Sequence, residues 1–376
     1  MASLMQLTRR DFVALGVAAG GGLALGTWLP GQAEATAAGP LQPGVFVRVD
    51  PDGAVTIWMA RADMGQGVRT ALPMIVADEL DADWQRVTII QADAHQTKYG
   101  SQMTVGSTSV RRGAWTKLRQ AGAAAREMLV TAAAMQWGVA ASSCRTEAGE
   151  VIHVPSGRRL GYGALTEAAS KLPVPDAPRL KQPSEFRLIG TRVPLVDTRE
   201  KIAGTATFGI DARVPGMRFA TVLRCPVFGG TVQSFDPTRA LAVRGVSDVV
   251  EISSGIAVVA DNTWAAFEGM NALEVTWQEG DFRMSSADLT AAFTAALESP
   301  GTAARSEGDT AAALAGAARR IAATYQAPLL SHATMEPMNC TADVRPDRCE
   351  IWVPTQNPQG TQSAAMRLTG LPADQV

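Results

Sequence analysis

Met64-Gly65-Gln66-Gly67 lies between a strand-like run, Val55 to Ala60, and a helix-like run, Thr70 to Leu80, and this junction sets the architecture around it. A strand that turns through glycines into a helix presents a particular chemistry. Glycine lets a ligand approach the backbone closely, the first amides of a helix lack internal partners, and the helix dipole places partial positive charge at that end. The junction therefore favours an anion. Gln66 adds an amide that both donates and accepts, which suits a cofactor carrying a phosphate and a heterocycle. A GQG tripeptide by itself marks a tight turn, so its meaning depends on what flanks it.

Upstream, Val45 to Val49 and Val55 to Met59 alternate around Asp50-Pro51-Asp52-Gly53, which predicts a hairpin. Downstream, Val87 to Ile90 reads as a strand. From Trp115 to Trp137 apolar residues recur at helical spacing and stop at Gly138. Between them, Thr104-Val105-Gly106-Ser107-Thr108-Ser109-Val110-Arg111 is dense in hydroxyls just ahead of the long helix. It reads either as a second anion-cradling loop or as a helix N-cap with spare serines. The first unit is thus strands packed against helices.

The prolines between Pro173 and Pro183 mark a linker. Beyond it, strands are predicted at Phe219 to Leu223, Val246 to Ile252 and Ile256 to Val259, with a helix from Trp264 to Leu273. Ser286 to Glu298 reads as an Ala-rich helix capped by Ser285 or Ser286. Strands follow around Ile321 to Tyr325, Cys340 to Val344 and Glu350 to Val353, then a helix from about Gln359 to Leu368. The predicted divisions are 1–37, 38–172, a linker at 173–197, 198–280 and 281–376. The last opens a strand-helix unit that it does not complete.

Composition narrows the classes of function. A net charge of −2 with 19% charged residues gives no basic footprint, so nucleic acid is not an expected partner. Thr8-Arg9-Arg10-Asp11-Phe12 precedes an uncharged run from Val13 to Leu29, and Ala33-Glu34-Ala35 offers a cleavage site. This predicts a twin-arginine export signal and a periplasmic location, with membrane association as a further option. Cys144, Cys225, Cys340 and Cys349 show no CxxC spacing, and His95, His153 and His332 are scattered, so the chain offers no zinc or iron-sulfur ligand set. Cys340 and Cys349 flank a predicted hairpin at Pro346-Asp347. Either a disulfide or two free thiols fits that placement.

The motifs in order carry a resemblance. They are Met64 to Leu72 with Ala77-Asp78-Glu79-Leu80, the Gly106-Ser107-Thr108-Ser109 loop, Lys201 to Ala206 and Pro215-Gly216-Met217. Val258 to Ala266, His332 to Pro337 and Thr355-Gln356-Asn357-Pro358 complete the set. The chain resembles the molybdopterin-binding large subunit of the xanthine oxidase family of molybdenum hydroxylases, most closely the isoquinoline 1-oxidoreductase beta-chain group. The resemblance implies an α+β, multidomain subunit with a hammerhead-like α/β domain at about 198–280 and a molybdenum-cofactor domain beginning near Ala303.

It also implies molybdopterin cytosine dinucleotide with molybdenum, oxidative hydroxylation of an N-heterocycle or aldehyde with water as oxygen source, and electrons passed to a small two-iron two-sulfur subunit. A membrane or periplasmic protein would then accept those electrons. Gly65, Gln66, Gly67, Gly106, Ser107, Thr108, Ser109 and Gln356 are the implied cofactor-binding residues. In this family group the GQG segment of the N-terminal module either contacts the cofactor or stabilises structure. Glu336 is expected to satisfy buried donors, because the family's catalytic glutamate belongs beyond Val376. The chain then reads as the N-terminal portion of a longer subunit, inactive alone; a noncatalytic cofactor- or partner-binding module is the alternative.

Overall fold

The computed structural model describes residues 40–281 and 284–376. The predicted export signal lies outside the described residues. The chain divides into two compact units: residues up to Ala212 together with Glu336–Val376, and Arg213–Met335. These borders differ from those drawn at 197/198 and 280/281 on the sequence. The reason is local, since Ile210 N donates to Glu336 Oε1 at 3.0 Å, which fastens the segment before Ala212 to the segment after Met335.

In the first unit the predicted hairpin forms: β1 (Val47–Val49) pairs antiparallel with β2 (Val55–Met59). The chain then runs through the glycine junction into α1 (Val68–Leu80) and returns as β3 (Val87–Gln91), which pairs parallel with β2, Val55 opposite Val87 and Met59 opposite Gln91. The junction is therefore the first turn of a β-α-β crossover, which a parallel pair requires. A single helical turn at Gln96–Tyr99 and an irregular stretch lead to α2 (Trp115–Trp137), whose first approach, Ser109–Ala114, winds with a wider π-type pitch.

The core lies between sheet and helices. Val47, Val49, Val55 and Ile57 meet Leu72, Val76 and Leu80 of α1 and Leu118, Met128 and Leu129 of α2. Each fully buried aliphatic side chain there is worth about 1.5–3 kcal/mol. The two helices touch closely because Gly122 has no side chain: a Cβ there would sit 2.4 Å from the Val76 carbonyl oxygen. A small antiparallel sheet (Cys144–Glu147, Glu150–His153, Arg159–Gly161) closes this half, with the buried Tyr162 hydroxyl donating to Leu80 O at 2.6 Å.

The proline-rich linker is a strap held down by buried acid. Asp78 and Glu79 are 1% and 0% exposed, so their charges need partners. Asp78 accepts from the backbone amides of Arg187, Leu188 and Ile189, and from Lys181 Nζ at 3.1 Å. Glu79 accepts from Arg119, Arg126 and the amide of Lys181. The Ala77-Asp78-Glu79-Leu80 motif thus fixes residues 179–189 across α1 and α2.

The second unit pairs Phe219–Leu223, Gly255–Ala260 and Val246–Ile252 in one antiparallel sheet and Thr231–Asp236 with Glu274–Gln278 in another. The helix Thr263–Ala272 covers the first, capped by Asn262, whose side chain accepts from Ala265 N. Ile256, Val258, Ala240 and Leu273 form its core. Ser285 caps the helix Ser286–Ala296 through a reciprocal bond with Asp288. The strand predicted at Ile321 to Tyr325 does not form. Those residues run without a pairing partner, with Ile321 82% and Tyr325 93% exposed, and an isolated strand has no ladder to stabilise it.

The hairpin Thr341–Val344 with Cys349–Trp352 does form, in the first unit. Its register sets Cys349 opposite Val344, four residues from Cys340, so a disulfide between them is not made and both thiols are free. The chain ends in the helix Pro358–Thr369, with Asn357 Oδ1 accepting from Gly360 N at its start. Among the described residues no helix is long and apolar enough to cross a membrane.

Candidate cofactor-binding site

β2 and β3 run parallel, so the segments that follow them leave the sheet at the same end. After β2 come residues 60–67 and after β3 residues 92–108. The carboxyl end of parallel strands is where open α/β sheets receive ligands. Both glycine-bearing loops singled out on the sequence are therefore placed together by topology.

The loop before α1 holds itself in shape. Gly65 and Gly67 have φ of +96° and +82°, which a side chain would strain. Gln66 turns back on the loop: its Oε1 accepts from Met64 N at 2.5 Å and its Nε2 donates to Ala62 O at 3.1 Å. Asp63 supplies the negative charge at the start of α1, Oδ1 accepting from Gly65 N at 2.7 Å and Oδ2 from Arg69 N at 2.8 Å. The chain's own carboxylate thus occupies part of the anion position that the junction creates. Asp63 was not singled out from the sequence, though an Asp two residues before a Gly is a turn signal.

The second loop keeps more of its donors outward. Gly106 has φ +50° and open space where a Cβ would stand. Ser107 and Thr108 are exposed, and Thr108, at the N-cap position, makes no side-chain cap bond. Ser109 Oγ donates to Gly106 O at 3.3 Å. Arg111 and Arg112 follow in the π-type turn, both exposed. Such turns are frequent at functional sites. Hydroxyls, open backbone and two guanidinium groups suit a phosphate.

Gln356 is brought to the same place from the far end of the chain. Thr104 N donates to Gln356 O and Gln356 Nε2 donates to Thr104 O, both at 2.8 Å. Thr104 Oγ1 also accepts from Ala62 N at 2.9 Å, so a continuous set of bonds runs Gln66, Ala62, Thr104, Gln356. Gln359 reinforces it, its Nε2 donating to Gly100 O and its Oε1 accepting from Gln102 N. Gln102 is fully buried and belongs to no charge pattern, so nothing in its sequence context pointed to it. Glu336 accepts from Ile210 N and from Asn339 Nδ2 at 2.9 Å, the role of a satisfied acceptor. Among the described residues no three His, Cys, Asp or Glu gather as a metal site.

Glycine-bearing backbone and hydroxyls thus meet at the end of a parallel strand pair. Residues 8–212 match a molybdopterin cofactor-binding domain, and residues 296–376 match a second model of the same description. The chain belongs to the xanthine oxidase family of molybdopterin-binding subunits.

It is 32% identical over 385 aligned positions to the beta chain of isoquinoline 1-oxidoreductase from Brevundimonas diminuta, covering 89% of this chain and 49% of that protein. It is 30% identical over 325 positions to a nicotinate dehydrogenase subunit from Pseudomonas putida, covering 84% and 27%. To the membrane-bound aldehyde dehydrogenase (pyrroloquinoline-quinone) of Gluconacetobacter polyoxogenes it is 34% identical over 263 positions, covering 65% and 33%. The chain spans about half or less of the length of these relatives. Among solved structures, quinoline 2-oxidoreductase from Pseudomonas putida 86 aligns with a TM-score of 0.37 and 18% identity, over 50% of this chain and 29% of that one.

Proposed function

We propose that this chain is the cofactor-holding part of a molybdenum hydroxylase large subunit, and that the phosphate-bearing portion of molybdopterin cytosine dinucleotide lies on the Gly106–Ser109 loop. The observation that carries this reading is the bonded set from Gln66 through Thr104 to Gln356, which joins the two family-matched regions at one sheet end. Ser107 and Thr108 would donate to phosphate oxygens, and Arg111 and Arg112 would offset their charge. Gln66 and Asp63 would hold the neighbouring loop in register.

When bound, the molybdenum cofactor supplies two-electron oxidation with water as the oxygen source. An N-heterocycle or an aldehyde is the substrate class we assign, supported by the names of the relatives. Electrons would leave through a small two-iron two-sulfur partner, since the four cysteines here are scattered along the chain. Assembly in the cytoplasm and twin-arginine export to the periplasm complete the reading.

The test is metal and nucleotide analysis of the parent subunit co-expressed with its neighbouring small subunit. About one molybdenum per heterodimer, with released cytidine nucleotide, is expected. A folded complex without molybdenum contradicts it and leaves a partner-binding module.

A further inference from the structure

Three cationic side chains are buried among the described residues: Arg61, Arg126 and Lys181. Arg126 is paired with Glu79, and Lys181 with Asp78 and Asp81. Arg61 has no carboxylate. It follows β2, is 8% exposed, and its NH1 donates to Ala60 O at 3.0 Å and Ser101 O at 2.6 Å. Its Nε is buried with no hydrogen-bond partner. A guanidinium does not shed its charge on burial, so the missing partner cannot be replaced by deprotonation.

A second cation faces the same space. Arg61 and Lys117 both line a cavity of about 20 Å³ whose other walls include Phe46, Trp58, Met59, Leu72 and Tyr99, and no acidic residue lines it. Lys117 is half-buried in the first turn of α2 and makes no ion pair with a described residue. Gly113 also lines the space and lies against the end of the guanidinium, where a Cβ would sit 3.4 Å from Arg61 NH2. Burial, and then the Arg61 charge, push the Lys117 ammonium below its ordinary value. Two like charges beside apolar walls repel unless something negative lies between them. The volume holds one water-sized particle with a little to spare. Water would fill it without balancing the charge.

We propose that Arg61 and Lys117 bind a single small inorganic anion of halide size in this cavity. The anion accepts from the terminal guanidinium nitrogen Arg61 NH2, which faces Gly113 on the cavity wall, and from Lys117 Nζ, and it joins the end of β2 to the start of α2. Arg61 begins the first of the two loops, but the site uses none of the residues assigned to the cofactor, and it stands whether or not the cofactor reading holds.

Thermal unfolding of the 376-residue chain in sodium chloride against sodium gluconate at equal ionic strength tests this. Chloride should raise Tm saturably, on the order of 2–4 °C at a concentration far above Kd. Lys117→Gln should abolish that rise, and in gluconate it should be no less stable than the parent, because one of two repelling charges is gone. Lys117→Arg should retain the rise. A chloride effect that is absent, or that persists unchanged in Lys117→Gln, overturns the proposal. Should Lys117→Gln fail to fold, a bromide-soaked crystal of the parent decides: an anomalous peak between the Arg61 guanidinium and Lys117 Nζ supports the site, and its absence there removes it.

Discussion

Thr104 and Gln356 stand 252 residues apart in sequence, and each donates to the other's carbonyl oxygen, Thr104 through its backbone amide and Gln356 through its side-chain amide. One side chain thereby docks the Thr355-Gln356-Asn357-Pro358 segment, which leads from the last strand into the last helix, onto the loop that opens at Gly106. A glutamine fits here because its amide reaches a backbone carbonyl while its own backbone carbonyl remains available to the Thr104 amide.

Gln66→Ala removes two bonds within the loop, to Met64 N and Ala62 O. Each such bond contributes about 0.5–1.5 kcal/mol when well formed, and less at an exposed position such as this one. A Tm lowered by a few degrees or less and a partial loss of molybdenum are expected. Parallel thermal unfolding and elemental analysis check it. Complete loss of molybdenum with unchanged Tm would instead make Gln66 a direct ligand contact.

Asp78→Ala leaves Lys181 with Asp81 alone, at 2.7 Å, and strips the amides of residues 187–189 of their acceptor. Leaving a buried donor without its acceptor costs about 1–3 kcal/mol. A lower urea midpoint is expected, together with new proteolytic cleavage within residues 178–190. Cleavage resistance equal to the parent's would show that the strap is held by other contacts.

Gly122→Ala places a methyl group 2.4 Å from Val76 O and 2.8 Å from Glu79 Cβ. Helix propensity alone favours Ala by about 1 kcal/mol, but overpacking a helix contact costs about 1–3 kcal/mol and more where backbone must move. Net destabilisation is therefore expected, read as a lower denaturant midpoint. Stabilisation would mean that α1 and α2 separate easily at this point.

Asp197 carries a pH-dependent part of the stability. Burial raises its pKa, and the hydrogen bond and charge of Lys201, at 2.8 Å, outweigh that and hold the carboxyl below its ordinary value. A carboxyl whose folded pKa is depressed contributes stability above its unfolded pKa of about 3.9 and loses it as pH falls through the folded value. The stability difference between the parent and Asp197→Asn should thus be full at pH 6 and shrink below about pH 4. A difference that does not change between those conditions would contradict the pairing.

Much of the first unit was legible because its signals are local. Alternation around Asp50-Pro51-Asp52-Gly53 gives the hairpin, and the glycines at 65, 67 and 138 fall where the backbone takes positive φ. The parallel return of β3 was not legible, since pairing partners far apart in sequence leave no periodicity. Ile321 to Tyr325 has strand composition, yet composition does not supply a neighbour to pair with. At the site, the glycines mark where the two loops turn, but which of their donors stay outward is not legible. That depends on Asp63 and Gln66 turning inward, a matter of side-chain reach.

If the Gly106–Ser109 loop holds the cofactor's phosphate together with Arg111 and Arg112, removing both guanidinium groups should empty the site without unfolding it. Molybdenum and cytidine nucleotide content of the parent complex carrying Arg111→Ala and Arg112→Ala together reads this out. Both side chains are exposed and neither makes a salt bridge with a described residue, so stability should change by no more than about 0.5 kcal/mol each. A several-fold loss of both molybdenum and nucleotide is expected, with Tm nearly unchanged. Full occupancy in that variant would contradict the placement of the phosphate on this loop.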